Sequence, residues 1–436
     1  MKNTLYKIKS HSVTRNAAAL GVMQIANYAV PLLLLPFLTH KLGIESFGIV
    51  AIILAAIQFS FVITDYGFTL SATYEISKNR ENTDYVNKKI GSIFGAKLVL
   101  VSGIAMVAVL YVYAFENSAA YRPYIIGAMI AVIAQAFQPT WLFQGIERMK
   151  SITIYTVLTK VVYASLVLFF VETAADALLV IYFWGAAQAM GLIASMYLIF
   201  SEGYRIYPPT LKSITNEFKV GAQFFWSRLA VSLYASASTL IIGTHSTTQA
   251  AQFSVCEQIY KAGQNITSPV NNAMFPYMAK NKDWKVFFGV LFTTGFLVAL
   301  GCIGVSIFAE EIITTLFGTD YKSATPILLV FLCTTVVNYF AVTFGYSAFA
   351  ALGKIEIANY SVIAGAAFHA AVLSWIYIGH DVNALNIALA ILATETLVMF
   401  FRAFTFLYLK KKATELSPLY TLTTATSEEL KKPHAN

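Results

Sequence analysis

The chain has 436 residues, of which 58% are hydrophobic and only 12% charged, with a formal net charge of +8. Soluble globular proteins carry about 25% charged residues, and a soluble fold this apolar would leave large exposed patches. Composition therefore excludes a disordered chain, a secreted disulfide scaffold and a cytosolic nucleic-acid binder, and it makes lipid the solvent for most of the molecule.

At the amino terminus Lys2, Lys7, Lys9 and Arg15 precede an apolar run that continues to about Thr39 and carries Pro31 and Pro36. A secretory signal has an apolar region of about 7–15 residues ending at small residues. This run is longer and has no such site, so it is read as a first span that stays. With about 20 apolar residues per crossing, about twelve spans follow: 15–39, 46–73, 90–115, 123–143, 152–171, 177–200, 218–243, 249–278, 286–308, 325–350, 357–379 and 383–409. Their connections are short and leave no room for a sizeable soluble domain. The expected fold is an all-α polytopic membrane protein.

Spans one to six and seven to twelve form halves of similar length, a recurrent transporter plan. The expected organisation is an N-terminal lobe over 1–200, a linking loop over 201–218, a C-terminal lobe over 219–412 and a tail over 413–436. A weak repeat accompanies it: Thr39-His40 and Thr244-His245 each end the first span of a half, and Phe47 and Phe253 follow. Cys256, Cys302 and Cys333 lie singly in apolar stretches and read as small core hydrophobes.

Lysine and arginine collect in cytoplasmic loops. With the amino terminus inside, 23 of them fall in inner segments, Arg402 and Lys410–Lys412 among them. Only Lys41, Arg122 and Lys322 fall in outer loops. Both termini are therefore expected in the cytoplasm, and the positive charge is mainly a topology signal. Four basic residues remain within spans: Lys97, Lys160, Arg228 and Lys261. A cation at mid-helix costs about 2.5–3.5 kcal/mol on insertion scales, so these four must face protein or a watery cavity. At about 1.5 Å per residue, they lie between the cytoplasmic surface and the bilayer centre, where a transporter would hold an anion arriving from inside. The rival reading is structural pairing. Glu257 and Lys261 are four apart on one helix, Glu395 can neutralise another cation, and Lys97 can snorkel to the interface. Arg228 is the strongest anion-binding candidate, because its fork grips phosphate at two points. Asp65 either binds a coupling cation or caps a helix, and His369 reads as a core histidine rather than a proton carrier. Pro139, Pro269 and Pro276 sit inside spans and free backbone carbonyls there.

No catalytic constellation is present: the chain has no histidine pair at metal spacing, no phosphate-cradling glycine loop and no serine elbow. The expectation is a transporter, not an enzyme, without cofactor or bound metal, driven by an ion gradient or by its substrate gradient.

Several stretches resemble bacterial O-antigen flippases of the polysaccharide transporter family, within the multidrug/oligosaccharidyl-lipid/polysaccharide exporter superfamily. They are Leu42-Gly43-Ile44-Glu45-Ser46-Phe47-Gly48, Asp65-Tyr66-Gly67, Pro139 through Glu147 with its Trp141-Leu142-Phe143-Gln144-Gly145 run, Phe225-Trp226-Ser227-Arg228, and Pro269 through Tyr277. The likeness covers roughly residues 10–410, and Trp141 through Gly145 is its most specific part. It departs from the family early in span eight, where relatives often have Glu-Lys and this chain has Glu257-Gln258, with Lys261 a turn further on. The resemblance implies twelve helices in two six-helix lobes around a central cavity. It also implies movement of an undecaprenyl-pyrophosphate-linked oligosaccharide repeat unit across a bacterial inner membrane, from cytoplasm to periplasm. Its partners would be membrane lipid, an O-antigen polymerase and a chain-length regulator, with no nucleic acid.

The two lines meet at the charge. Arg228, Lys160, Lys261 and Lys97 are the expected pyrophosphate-binding residues, and Asp65, Glu257 and Glu395 are candidates for binding a coupling proton or sodium ion. A drug exporter of the same superfamily is the first rival, although a lysine-rich cavity would repel its usual cationic cargo. A membrane-embedded sugar polymerase or ligase is the second, although it would need larger outer loops than residues 309–324. A purely structural scaffold gives no reason for the buried cations.

Overall fold

The computed structural model describes residues 2–114, 116–235 and 237–429. Side chains before residue 21, after residue 412 and at several positions between 227 and 236 lie outside what it describes, as does the predicted tail beyond Glu429 with Lys431 and Lys432. Among the described residues every regular element is helical. Nine segments are long and apolar enough to cross a membrane. The first, Gly21–Asn79, makes two crossings. Its long helix α1 (Lys2–Asp65) reverses at Gly43, where φ is 69° and ψ is 170°, a conformation that costs an L side chain dearly. Two further crossings are too polar for that measure: α8 (Leu211–Ala235) with α9 (Ala237–Gly243), and α10 (Thr247–Asn281). About twelve crossings result. Helix α8 begins inside the predicted linking loop, so the true connection from α7 (Ala177–Ser201) is the stretch 202–210.

Helix ends follow local chemistry. Ser246 caps α10 by accepting a hydrogen bond from the Gln249 amide at 3.2 Å. Asp283 caps α11 (Trp284–Ile307) through the Lys285 and Val286 amides at 3.0 and 3.1 Å. At the other end of the second crossing the chain breaks at Tyr66 and Gly67, with φ of 44° and 80°, before resuming as α2 (Phe68–Asn79). Gly67 serves two purposes there, because a Cβ would also lie 2.8 Å from the Gly221 carbonyl oxygen and 2.8 Å from Phe224 Cβ on α8.

Apolar side chains face outward as well as inward, as a lipid surrounding allows. Of α11 only Phe287, Leu291 and Gly295 are buried, while Phe292, Phe296, Leu300 and Ile303 are exposed. The interior divides into three apolar clusters. One, containing Leu38, Phe47, Val167, Ile242, Phe253, Phe331 and Ile387, is shared by both halves. A second belongs to the first half and contains Phe68, Ile90, Trp141, Phe143 and Ile199. A third belongs to the second half and contains Met278, Phe287, Phe349 and Phe406. The shared cluster includes the turns at Leu42 and Phe47, whereas the separate ones lie toward the face where the lysine-rich connections gather. The halves thus share one core at one face of the membrane and have separate cores toward the other, where α8 of the second half still packs against the first.

Candidate functional site

A cavity of about 560 Å³ lies in the first half, between the shared core and that half's own core. Its walls come from α1, α2, α3 (Thr83–Ala114), α4 (Arg122–Ala136), α5 (Thr140–Gly145), α6 (Met149–Phe170) and α7. The second half contributes Arg228 from α8.

Three cations and one carboxylate line it: Lys97, Lys160, Arg228 and Asp65. Lys97 on α3 is 4% exposed, and its Nζ donates to the Ala136 carbonyl at 2.7 Å. That carbonyl ends α4, which stops three residues before Pro139, so the lysine serves as a C-terminal cap of the broken helix. Snorkelling, the alternative for this residue, is not what it does. Lys160 on α6 lies over the Trp184 ring, its Nζ 4.4 Å from the centroid, and among the described residues it has no carboxylate within ion-pair distance. Arg228 forms an ion pair with Asp65. The other Asp65 oxygen accepts from the Thr69 amide and hydroxyl in the first turn of α2. Asp65 therefore caps a helix, one of the two roles considered for it, and its other oxygen is taken by a cationic side chain of the protein itself.

The Asp65–Arg228 pair also joins the halves. Around it Tyr66 stacks on Phe225 with ring centroids 4.4 Å apart and meets Phe218 edge-on at 5.2 Å. Nearer the lysine-rich face, Lys89 of α3 pairs with Glu75 of α2 and, at 2.7 Å, with Glu217 of α8. Tyr85 donates to Glu75 at 3.1 Å. Burial raises the Glu217 carboxyl above its ordinary range, against the pull of Lys89.

Other predicted site residues lie elsewhere. Lys261 is not among the residues lining this cavity; its Nζ is 2.9 Å from Glu257 one turn away on α10, the local pairing that the spacing allowed. Glu395 is 6% exposed inside the second half and accepts from Asn338 Nδ2 at 3.0 Å. His369 is 1% exposed and meets the Thr394 hydroxyl at 3.0 Å. Arg402, counted with the cytoplasmic end, is instead 5% exposed. It donates to Ser361 Oγ and to the Ala341 and Ala358 carbonyls at 2.7, 2.7 and 3.3 Å. It sits beside Gly345, where a π-type turn (Thr343–Ser347) interrupts the helix and leaves backbone acceptors to satisfy.

Reading by charge missed the neutral polar wall of the cavity. Gln138 Nε2 donates to the Gln188 carbonyl and to Gln188 Oε1 at 3.1 and 2.9 Å, and Gln188 Nε2 donates to Gln135 Oε1 at 2.6 Å. Tyr155 and Thr140 share a hydroxyl contact of 2.8 Å. The available signal was the presence of Gln135, Gln138 and Gln188 in otherwise apolar spans.

Two halves of membrane-crossing helices, fused at one face and enclosing a cationic cavity in one of them, define a multi-pass membrane transporter. The chain belongs to the polysaccharide biosynthesis protein family, whose profile matches residues 13–282. It is 28% identical over 334 residues to the "Putative O-antigen transporter" of Escherichia coli (strain K12), across 73% of this chain and 79% of that relative. A protein of the same name from Shigella dysenteriae is 27% identical over 394 residues, across 89% and 98% of the two chains. In fold the chain is similar to the lipid II flippase MurJ in an inward closed conformation, with a TM-score of 0.67 at 10% identity over 94% of this chain and 93% of that one. It is also similar to an inward-facing multidrug resistance MATE family transporter of the MOP superfamily, with a TM-score of 0.66 at 13% identity over 91% and 99%.

Proposed function

We propose that this protein is a flippase that carries an undecaprenyl-pyrophosphate-linked O-antigen repeat unit from the cytoplasmic to the periplasmic leaflet of a bacterial inner membrane. Both termini lie in the cytoplasm, so the lysine-rich face is the loading side. The observation that carries the reading is the cavity's charge: Lys97, Lys160 and Arg228 against Asp65 alone. A diphosphate matches that excess, while the lipid tail stays in the bilayer.

The geometry suggests how loading is sensed. Arg228, the second half's contribution to the cavity, is held by Asp65 of the first half. An arriving diphosphate competes with Asp65 for the guanidinium and offers it two-point hydrogen bonds. It also draws Lys160 away from Trp184. Asp65, released from its cation, becomes free to take a proton or a sodium ion, whose return resets the halves. The names of the relatives support the cargo, and the separate cores toward the loading face suit alternating access. A cationic drug would be repelled by the same cavity.

The test is transport by purified protein in liposomes, read as the appearance of a fluorescent polyprenyl-diphosphate sugar in the opposite leaflet. Wild type should flip it, and Arg228→Ala should slow flipping by about thirtyfold or more, the worth of roughly 2 kcal/mol from a charge-assisted contact. Flipping by Arg228→Ala and Lys160→Ala at the wild-type rate, with normal protein levels, would falsify the anion clamp. Rates indifferent to proton and sodium gradients would reject the coupling.

A further inference from the structure

We infer that the glutamine wall of the cavity is a binding subsite for the neutral sugar ring joined directly to the phosphate. It is separate from the cations that hold the phosphate itself. The inference rests on the flippase reading above and deepens it.

Cations suffice to bind a diphosphate, and apolar walls suffice for a lipid or a drug; neither explains why the cavity is lined by neutral carboxamides. Asn27, Gln58, Gln135, Gln138 and Gln188 all face it. Three of these form a ladder across three segments: Gln138 before α5, Gln188 on α7 and Gln135 on α4. Gln188 is 4% exposed. Each carboxamide has two donors and two acceptor sites, and the ladder leaves both of its ends unused. Among the described residues Gln138 Oε1 has no protein partner as an acceptor, and Gln135 Nε2 has none as a donor. Gln135 and Gln138 are only half-buried, so both free ends open on the cavity where a ligand can reach them. These donors and acceptors point to a ligand that supplies both.

Sugar hydroxyl and acetamido groups are such ligands, since each can donate and accept. The backbone is built to bring the ladder together: a Cβ at Gly191 would lie 2.3 Å from Thr159 Oγ1 and 3.0 Å from Gln138 Nε2, so α7 approaches there only as glycine. Position fixes which sugar. Lys160 caps the ring of Trp184, which lies one turn before Gln188 on α7, so the cation and the amide wall are adjacent. That order matches a sugar esterified directly to phosphate. A cavity of about 560 Å³ is in the range that encloses one drug-sized moiety, so it takes the phosphate-proximal end and not a whole repeat unit.

The experiment compares two probes on the full-length protein in detergent, by titration calorimetry. One is a short-chain polyprenyl diphosphate, and the other is the same lipid bearing a single N-acetylhexosamine. Wild type should bind the sugar-bearing lipid about tenfold more tightly, the worth of one or two buried hydrogen bonds. Gln188→Leu and the less buried Gln138→Leu should each erase that difference while leaving the Kd of the bare diphosphate within about twofold. Lys160→Ala should weaken both probes. The inference is overturned if wild type binds the two lipids equally, if both leucine variants keep the preference, or if they weaken both lipids alike. If wild type binds neither probe, the flippase reading falls, and this subsite with it.

Discussion

The two halves bury similar charges and put them to opposite uses. In the first half Lys160 has no carboxylate partner among the described residues, Lys97 donates one proton to the Ala136 carbonyl, and both line a cavity. In the second half Arg402 is consumed by Ser361 and two backbone carbonyls, Glu395 by Asn338, and Lys261 by Glu257. An ionisable side chain in a membrane helix is thus a question whose answer lies in its partners. Where the protein supplies every partner the charge is structural; where it withholds them the charge is available to a ligand.

That contrast is broken most forcefully at Arg402. Replacing it by alanine removes the donor to the Ala341 carbonyl beside the π-type turn and the partner of Ser361 Oγ, while Ala358 keeps the Ser361 hydroxyl, at about 1–3 kcal/mol for a buried group left unpaired. Arg402→Ala should therefore lower the melting temperature of the detergent-solubilised protein sharply and reduce its yield. Lys160→Ala, which removes no internal hydrogen bond, should melt as wild type does. An Arg402→Ala protein of unchanged stability that fails to transport would place Arg402 in the transport path and end the distinction.

A second comparison sharpens it with transport as the readout. Lys160→Ala should slow flipping by about tenfold or more, through loss of a charge-assisted contact to the substrate. Lys261→Ala should change the rate by less than about threefold, because a partly exposed i,i+4 pair is worth only about 0.3–0.5 kcal/mol. Equal losses at the two positions would mean that Lys261 reaches the cargo in another state of the cycle.

Much of this division could be read from the chain, and the rest could not, for identifiable reasons. The crossings follow from runs of apolar residues, and α8 and α10 were legible as spans despite their polar side chains because length and flanking charge still marked them. Lys97, Lys160, Asp65 and Arg228 stand out because a charge in an apolar run is costly and therefore conspicuous. Pro139 announced a broken helix, but that Lys97 would cap it depends on how α3 packs against α4. Arg402 was miscounted because it lies only eight residues before Lys410, and one-dimensional depth does not register a π-type turn on a neighbouring helix. The glutamine ladder was missed for a different reason. A neutral amide breaks no charge rule, and its meaning appears only when α4, α7 and the break before α5 bring Gln135, Gln188 and Gln138 together. The Lys89–Glu217 contact spans 128 positions in the chain and leaves no local pattern at all.

That contact carries the smallest expected effect, and it depends on pH. Glu217 is enclosed by Lys89 and Tyr85 of α3 and by Glu75 of α2, with Lys212 and Lys219 exposed along its own helix. Burial holds its carboxyl above the ordinary range, Glu75 adds to the rise, and Lys89 only partly offsets it. Opening the halves at this face exposes Glu217 and returns it to the ordinary range. The closed seam then binds more protons than the open one at pH values between the two pKa values. Acid therefore favours closure, and that preference fades as pH rises through the closed-state pKa. Spin labels at the exposed positions Glu81 and Lys212, in a background lacking Cys302 and Cys333, report the separation of α8 from the first half. The population with the longer distance should grow as pH rises from 5 to 8. Glu217→Gln should flatten the profile, since an amide keeps the shape but not the titration. A slope that survives the substitution, or that runs the other way, would show that Glu217 does not sense the state of the seam and would return it to the structural class of Arg402.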